Sequence, residues 1–76
     1  MIEQKKIANR IKFRDNIAYC MTELNRQKLQ KHDYDNFYTE EKILKLVVKI
    51  KETLGCSLLT ASNELKTRIK LGFVRF

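Results

Sequence analysis

Proline is absent from this chain of 76 residues, and its two glycines stand at positions 55 and 72. Proline and glycine are the residues that most readily break and turn a backbone. A chain almost free of them has few places to stop a helix, so it is confined to a small number of long ones. Gly55 lies inside ETLGCSLLTASNEL (52–65), with helix-forming residues on both sides. A glycine there can take the left-handed conformation that closes one helix. Ser57, two residues later, can cap the next. The pattern predicts a helix–Gly–helix corner. It leaves open whether the corner reads DNA or only joins two packed helices.

Periodicity gives the elements. At about 100° per residue, Ile7, Ile11, Ala18 and Leu29 fall together on a helical wheel. Ile17, Met21 and Leu24 lie beside them, and Phe13 and Cys20 widen the stripe to nearly half the circumference. Lys5, Lys12, Glu23 and Arg26 take the other side. Asp15 or Asn16 could cap a second helix. The stripe stays in phase across them, so one helix over about 2–30 is expected. A loop follows at 31–39, KHDYDNFYT, whose Tyr34, Phe37 and Tyr38 suit packing against the core better than stacking on bases.

Thr39 is a good N-cap, and Glu40 and Glu41 place negative charge in the first turn of the helix expected over about 40–54. Tyr38 and Ile43 hold the positions of a hydrophobic staple. Ile43, Val47, Ile50 and Leu54 form this helix's inner stripe. The third helix, about 58–71, starts after Ser57. Its inner positions are Leu58, Ala61 or Ser62, Leu65 and Ile69, and Gly72 ends it. The tail at 72–76 is expected to dock on the core or on a partner. The expectation is one all-α, three-helix domain over 1–76. Half of the first helix's circumference is more apolar surface than two short helices can cover, so a homodimer or a protein partner is expected over the remainder.

Several functions find no footing. His32 beside Asp33 sits in a polar loop without a nucleophile, and Ser57, Thr60 and Ser62 read as cap and helix residues. There is no glycine-rich phosphate loop, so no enzyme is expected, and no cofactor. Cys20, Cys56 and His32 are too few for a metal site. No apolar run approaches the roughly 20 residues that span a bilayer. Acidic residues within the first helix and the lack of Trp argue against membrane-surface binding. The charged start MIEQKKIANR does not resemble a secretory signal, so a cytoplasmic setting with reduced, buried thiols is expected.

Sixteen Lys and Arg against nine Asp and Glu give a net charge of +7. On so short a chain this points to a polyanion, because neutralising phosphates releases counterions. The expected function is nucleic-acid binding, DNA ahead of RNA, with a helix–turn–helix-like regulator as its specific form. Lys42, Lys45, Lys49, Lys66, Arg68 and Lys70 are the expected phosphate contacts. Thr60, Asn63 and Lys66 are the expected base readers, since amide and cationic groups match base edges. Lys51 stands four residues before Gly55, where a helix–turn–helix has a small residue, and a long side chain there would crowd the following helix. The alternative is a protein-binding adaptor or inhibitor, such as a phage or plasmid accessory factor, that works through the apolar surface of the first helix.

The run YTEEKILKLVVKIKETLGCSL (38–58) resembles a stretch of MerR-type transcription regulators. In those proteins a Tyr and an acidic helix start lead through an apolar-patterned helix to Leu-Gly-x-Ser-Leu. The matching positions are Tyr38, Glu40, Glu41, Leu54, Gly55, Ser57 and Leu58, with the spacing one residue short. The resemblance implies a role in transcription. The DNA-reading helix–turn–helix and wing that precede this stretch in the family have no counterpart in 2–37. No DNA-binding residue is therefore carried over.

Overall fold

The computed structural model describes residues 2–72, with side chains from Lys6 onward; the expected tail contact of Phe73, Val74, Arg75 and Phe76 lies outside that range. Three α-helices follow one another: α1 (Ile2–Gln30), α2 (Glu40–Leu54) and α3 (Leu58–Lys70), with a short 3-10 turn at Tyr34–Asn36 between the first two. The fold is all-α, as expected, and no strand occurs among the described residues. α3 ends at Lys70, one residue earlier than the periodicity suggests. At about 1.5 Å per residue, the 29 residues of α1 set the 46 Å long axis. The 15 residues of α2 and 13 of α3 are each about half that length, so they cover only part of α1.

Each boundary has a local cause. Thr39 Oγ1 accepts the Lys42 amide proton at 3.3 Å and opens α2. Gly55, at φ 63°, closes it, and the amides of Gly55 and Cys56 both donate to the Lys51 carbonyl. Ser57 Oγ accepts from the Thr60 amide at 3.2 Å and opens α3. The end of α1 has no glycine. His32 takes the left-handed conformation instead, at φ 56°, while the Asp33 amide donates to the Lys28 carbonyl at 2.9 Å. A side chain with a Cβ is strained there by about 1 kcal/mol. Glycine would relieve that strain, and its freer unfolded chain would offset only part of the gain. His32→Gly is therefore expected to raise stability by roughly 0.5 kcal/mol, read as a higher urea midpoint at unchanged slope. A lower midpoint would show that the 2.9 Å contact from His32 Nδ1 to the Tyr34 hydroxyl outweighs the strain.

Asn25 fixes the loop against α1. Its Nδ2 donates to the Tyr38 carbonyl at 2.9 Å, and its Oδ1 accepts the Tyr38 amide proton at 2.6 Å. Both backbone groups of Tyr38 are thereby satisfied just before α2 begins. Asp33 gathers the other end, accepting from Asn36 at 2.7 Å and Lys28 at 3.1 Å. Those two bonds, the Asn36 one foremost, hold its carboxyl below the usual carboxylate range. The aromatic cluster divides. Tyr38 packs on the core, whereas Tyr34 is 58% exposed, its ring tilted at 49° to that of Phe37. The expectation that the whole cluster packs inward fails for Tyr34 because the 3-10 turn swings it outward.

The core joins Ile17, Cys20 and Leu24 of α1, Ile43, Val47 and Ile50 of α2, and Ala61, Leu65 and Ile69 of α3. Leu54 and Leu58, expected on the inner stripes, flank the exposed Gly55 corner and stay open to solvent. The centre of the α1 stripe also stays uncovered, since Ile7, Ile11 and Leu29 are about half exposed and Ala18 is exposed. The short helices dock instead on its Ile17–Cys20–Leu24 edge. Asn16 is no cap. It lies mid-helix, 4% exposed, and donates to Ser62 Oγ at 3.0 Å and to Asn63 Oδ1 at 2.7 Å across the α1–α3 interface.

Both cysteines are free. Burial pushes the Cys20 thiol up to about 11, against a smaller lowering by the nearby Lys66 charge. Cys56 is half-buried. A thiol reagent at pH 8 is expected to modify Cys56 quickly and Cys20 only as fast as the fold opens. Two equally fast thiols would mean that the α1–α3 seam is open in solution.

Candidate nucleic-acid interface

The eight basic and polar residues that the sequence singles out do not form one surface. Lys42, Lys45 and Lys49 recur at helical spacing on the solvent side of α2, and all three are exposed. Glu41 and Glu52 share that side, and Glu41 lies 3.7 Å from Lys45. The face is therefore mixed in sign rather than a continuous basic stripe.

On α3 the buried stripe of Ala61, Ser62, Leu65 and Ile69 divides the basic run. Lys66 and Arg68, two residues apart, point about 160° away from each other around the helix. Arg68 is drawn into a 3.1 Å pair with Glu64. Lys66 and Lys70 lie on the other flank. Their ammonium groups stand 5.1 and 5.6 Å from the ring centroid of Tyr19 on α1. A cation at that distance is attracted by the ring's negative face. Two lysines from consecutive turns of α3 therefore converge on one aromatic ring. Among the described residues, neither is in an ion pair, and the same holds for Lys42 and Lys49.

No family model matches the chain, and neither the curated proteins nor the solved structures compared with it include a match.

The polar outer face of α3 is Thr60, Asn63, Thr67 and Lys70, spaced i, i+3, i+7 and i+10. The Thr60 hydroxyl accepts from Ser57 Oγ at 3.0 Å, and the Thr67 hydroxyl donates to the Asn63 carbonyl at 2.9 Å. Asn63 Oδ1 accepts from Asn16, which ties down the amide end that a two-point contact with adenine would use. Its own Nδ2 remains the better placed donor. Lys51 is exposed, so its chain runs to solvent rather than crowding the core between α2 and α3.

Tyr19 and Asn16 are the participants that sequence reasoning misses. Tyr19 left a signal: it is an aromatic residue on the polar side of an amphipathic helix, among Lys12, Glu23 and Arg26. Asn16 left none, because a mid-helix Asn reads as a break or a cap until its partner on another helix is known. Among the described residues no group of His, Cys, Asp and Glu could hold a metal ion. None of the described helices is long and apolar enough to cross a membrane.

Proposed function

We propose that this chain is a small non-enzymatic nucleic-acid-binding protein that favours DNA over RNA and acts in gene regulation. The observation that carries the reading is the convergence of Lys66 and Lys70 on Tyr19, in a chain of net charge +7. Two ammonium groups gathered on one ring repel each other. A phosphate oxygen between them relieves that repulsion and releases condensed counterions. Lys42 and Lys49 offer further phosphate contacts from α2. Thr60 and the Asn63 Nδ2 group are the groups on α3 that could touch base edges, with α2–Gly55–α3 serving as a helix–turn–helix-like corner. The resemblance of 38–58 to MerR-type regulators agrees with such a role in the cell.

Titration of labelled duplex DNA, single-stranded DNA and RNA between 50 and 200 mM salt tests the reading. With about four lysines on phosphates, the log–log slope is expected near −3.6, which is roughly a 150-fold loss of affinity over that range. Absence of binding at 50 mM, or binding indifferent to salt, would overturn it. Equal affinity for RNA would remove the preference for DNA. The second reading, a protein-binding adaptor or inhibitor, draws on the uncovered apolar stripe of α1.

A further inference from the structure

The buried hydrogen bonds between α1 and α3 have a direction. A carbonyl oxygen only accepts, so the Leu59 carbonyl takes the one proton of the Ser62 hydroxyl, at 2.7 Å. Ser62 Oγ is left as an acceptor, and the group of Asn16 that faces it at 3.0 Å must donate. That group is the Asn16 amide nitrogen, whose second proton goes to Asn63 Oδ1 at 2.7 Å. The opposite polarity would draw the Ser62 proton away from Leu59 to Asn16 and give up a short bond. Asn16 and Ser62 are 4% and 0% exposed, so bulk water does not compete for these groups. Asn63 itself is exposed. Its oxygen is turned in to Asn16, and its outward end is Nδ2, with two N–H donors and no acceptor.

We propose, resting on the nucleic-acid reading above, that Asn16 is a positioning residue that holds Asn63 as a hydrogen-bond donor toward duplex DNA, and that α3 thereby selects guanine over adenine. Asparagine ordinarily meets adenine with both ends of its amide, donating to N7 and accepting from N6. With the oxygen held by Asn16, the second of those bonds is lost. The donor end then finds two adjacent acceptors, N7 and O6, on guanine, whereas adenine offers one acceptor beside a donor. The position on α3 suits this role. Lys66 follows three residues later, about 4.5 Å along the axis and about 60° around it. A phosphate at the Tyr19 cluster and a base edge at Asn63 therefore fall on neighbouring parts of one helix face. Asn16 touches no DNA itself; it acts through the orientation of Asn63.

Side-chain nitrogen-15 relaxation of the protein alone reads the hold on Asn63. Its amide is expected to be as rigid as backbone, with an order parameter of about 0.85, and to fall below about 0.6 in Asn16→Leu. Leucine is close to asparagine in shape and leaves the Ser62–Leu59 bond in place. A mobile Asn63 amide in the parent chain would overturn the proposal. Asn63→Asp is expected to keep the urea midpoint at or above the parent's, because a carboxylate oxygen still accepts from Asn16. A lower midpoint would mean that Asn63 donates to Asn16, and would overturn it too. Selection from a pool of random duplexes reads the base. The parent is expected to enrich guanine over adenine about tenfold at one position, and Asn63→Asp to exchange that guanine for cytosine. Asn16→Leu is expected to lose the preference with the salt slope unchanged, which loss of stability alone would not produce. Salt-dependent binding without a guanine preference, as a phosphate contact by Asn63 would give, would overturn the proposal and leave the nucleic-acid reading standing. No duplex retained at about 50 mM salt would overturn both.

Discussion

Leu65→Ala is expected to destabilise the protein by about 2–5 kcal/mol, which is the cost of deleting a fully buried leucine side chain and leaving a cavity. A domain of this length holds roughly 4–11 kcal/mol in all, at 0.05–0.15 kcal/mol per residue. The substitution therefore removes a large part of what keeps it folded. Leu65 has no exposed surface, and it sits at the centre of α3, which packs on both other helices. Its neighbours in the cluster, Leu24, Ile43 and Val47, have essentially none either, so the gap cannot be refilled by side chains turning in from the surface. Leu58, at the start of the same helix, is 42% exposed. Truncating it to alanine is the matched control and is expected to cost well under half as much. Urea unfolding of the two variants makes the comparison. Similar midpoints would mean that the helices do not close around Leu65.

Reversing the charge of Lys66 and Lys70 together, Lys66→Glu with Lys70→Glu, is expected to have the largest effect on binding. Each lysine that leaves a phosphate removes about 0.9 from the salt slope. The pair should flatten it by nearly 2 and weaken binding at 100 mM salt by well over tenfold. Lys66 is half-buried and Lys70 exposed, and neither belongs to the core cluster, so the fold should survive the change. The comparison variant is Lys42→Gln with Lys49→Gln on the far side of α2. If the lysines on α2 move the slope and those on α3 do not, the Tyr19 cluster is not where phosphate sits.

Much of this architecture is legible in the sequence because local signals and burial agree. Thr39, Gly55 and Ser57 announce the helix ends, and each does in the structure what its chemistry suggests. Ile43, Val47, Ile50, Leu65 and Ile69 lie inside because their spacing leaves a single apolar face to bury. The end of α1 carries no glycine signal, since His32 does the work of one. The face of α1 that meets the core was hidden for another reason. Its stripe is wider than two short helices can cover, and periodicity says where apolar residues point but not which of them find a neighbour. The candidate site shows the same limit. Lys66, Arg68 and Lys70 look like one basic run along the chain. Helical geometry sends Arg68 to Glu64 and the two lysines to Tyr19, an aromatic ring 47 positions before Lys66.

The Asn16–Ser62 hydrogen bond has a consequence beyond the two groups it joins. Most of the core consists of aliphatic side chains, and these are tolerant partners: a shift of α3 by one turn along α1 would still bury many of them. Such a shift, about 5.4 Å, would carry Ser62 out of reach of Asn16. It would strand an amide in an apolar interior, at a cost of about 1–3 kcal/mol. The amide acts as a key cut for one lock position. Alternative alignments of the same three helices are thereby disfavoured even where their packing is nearly as good.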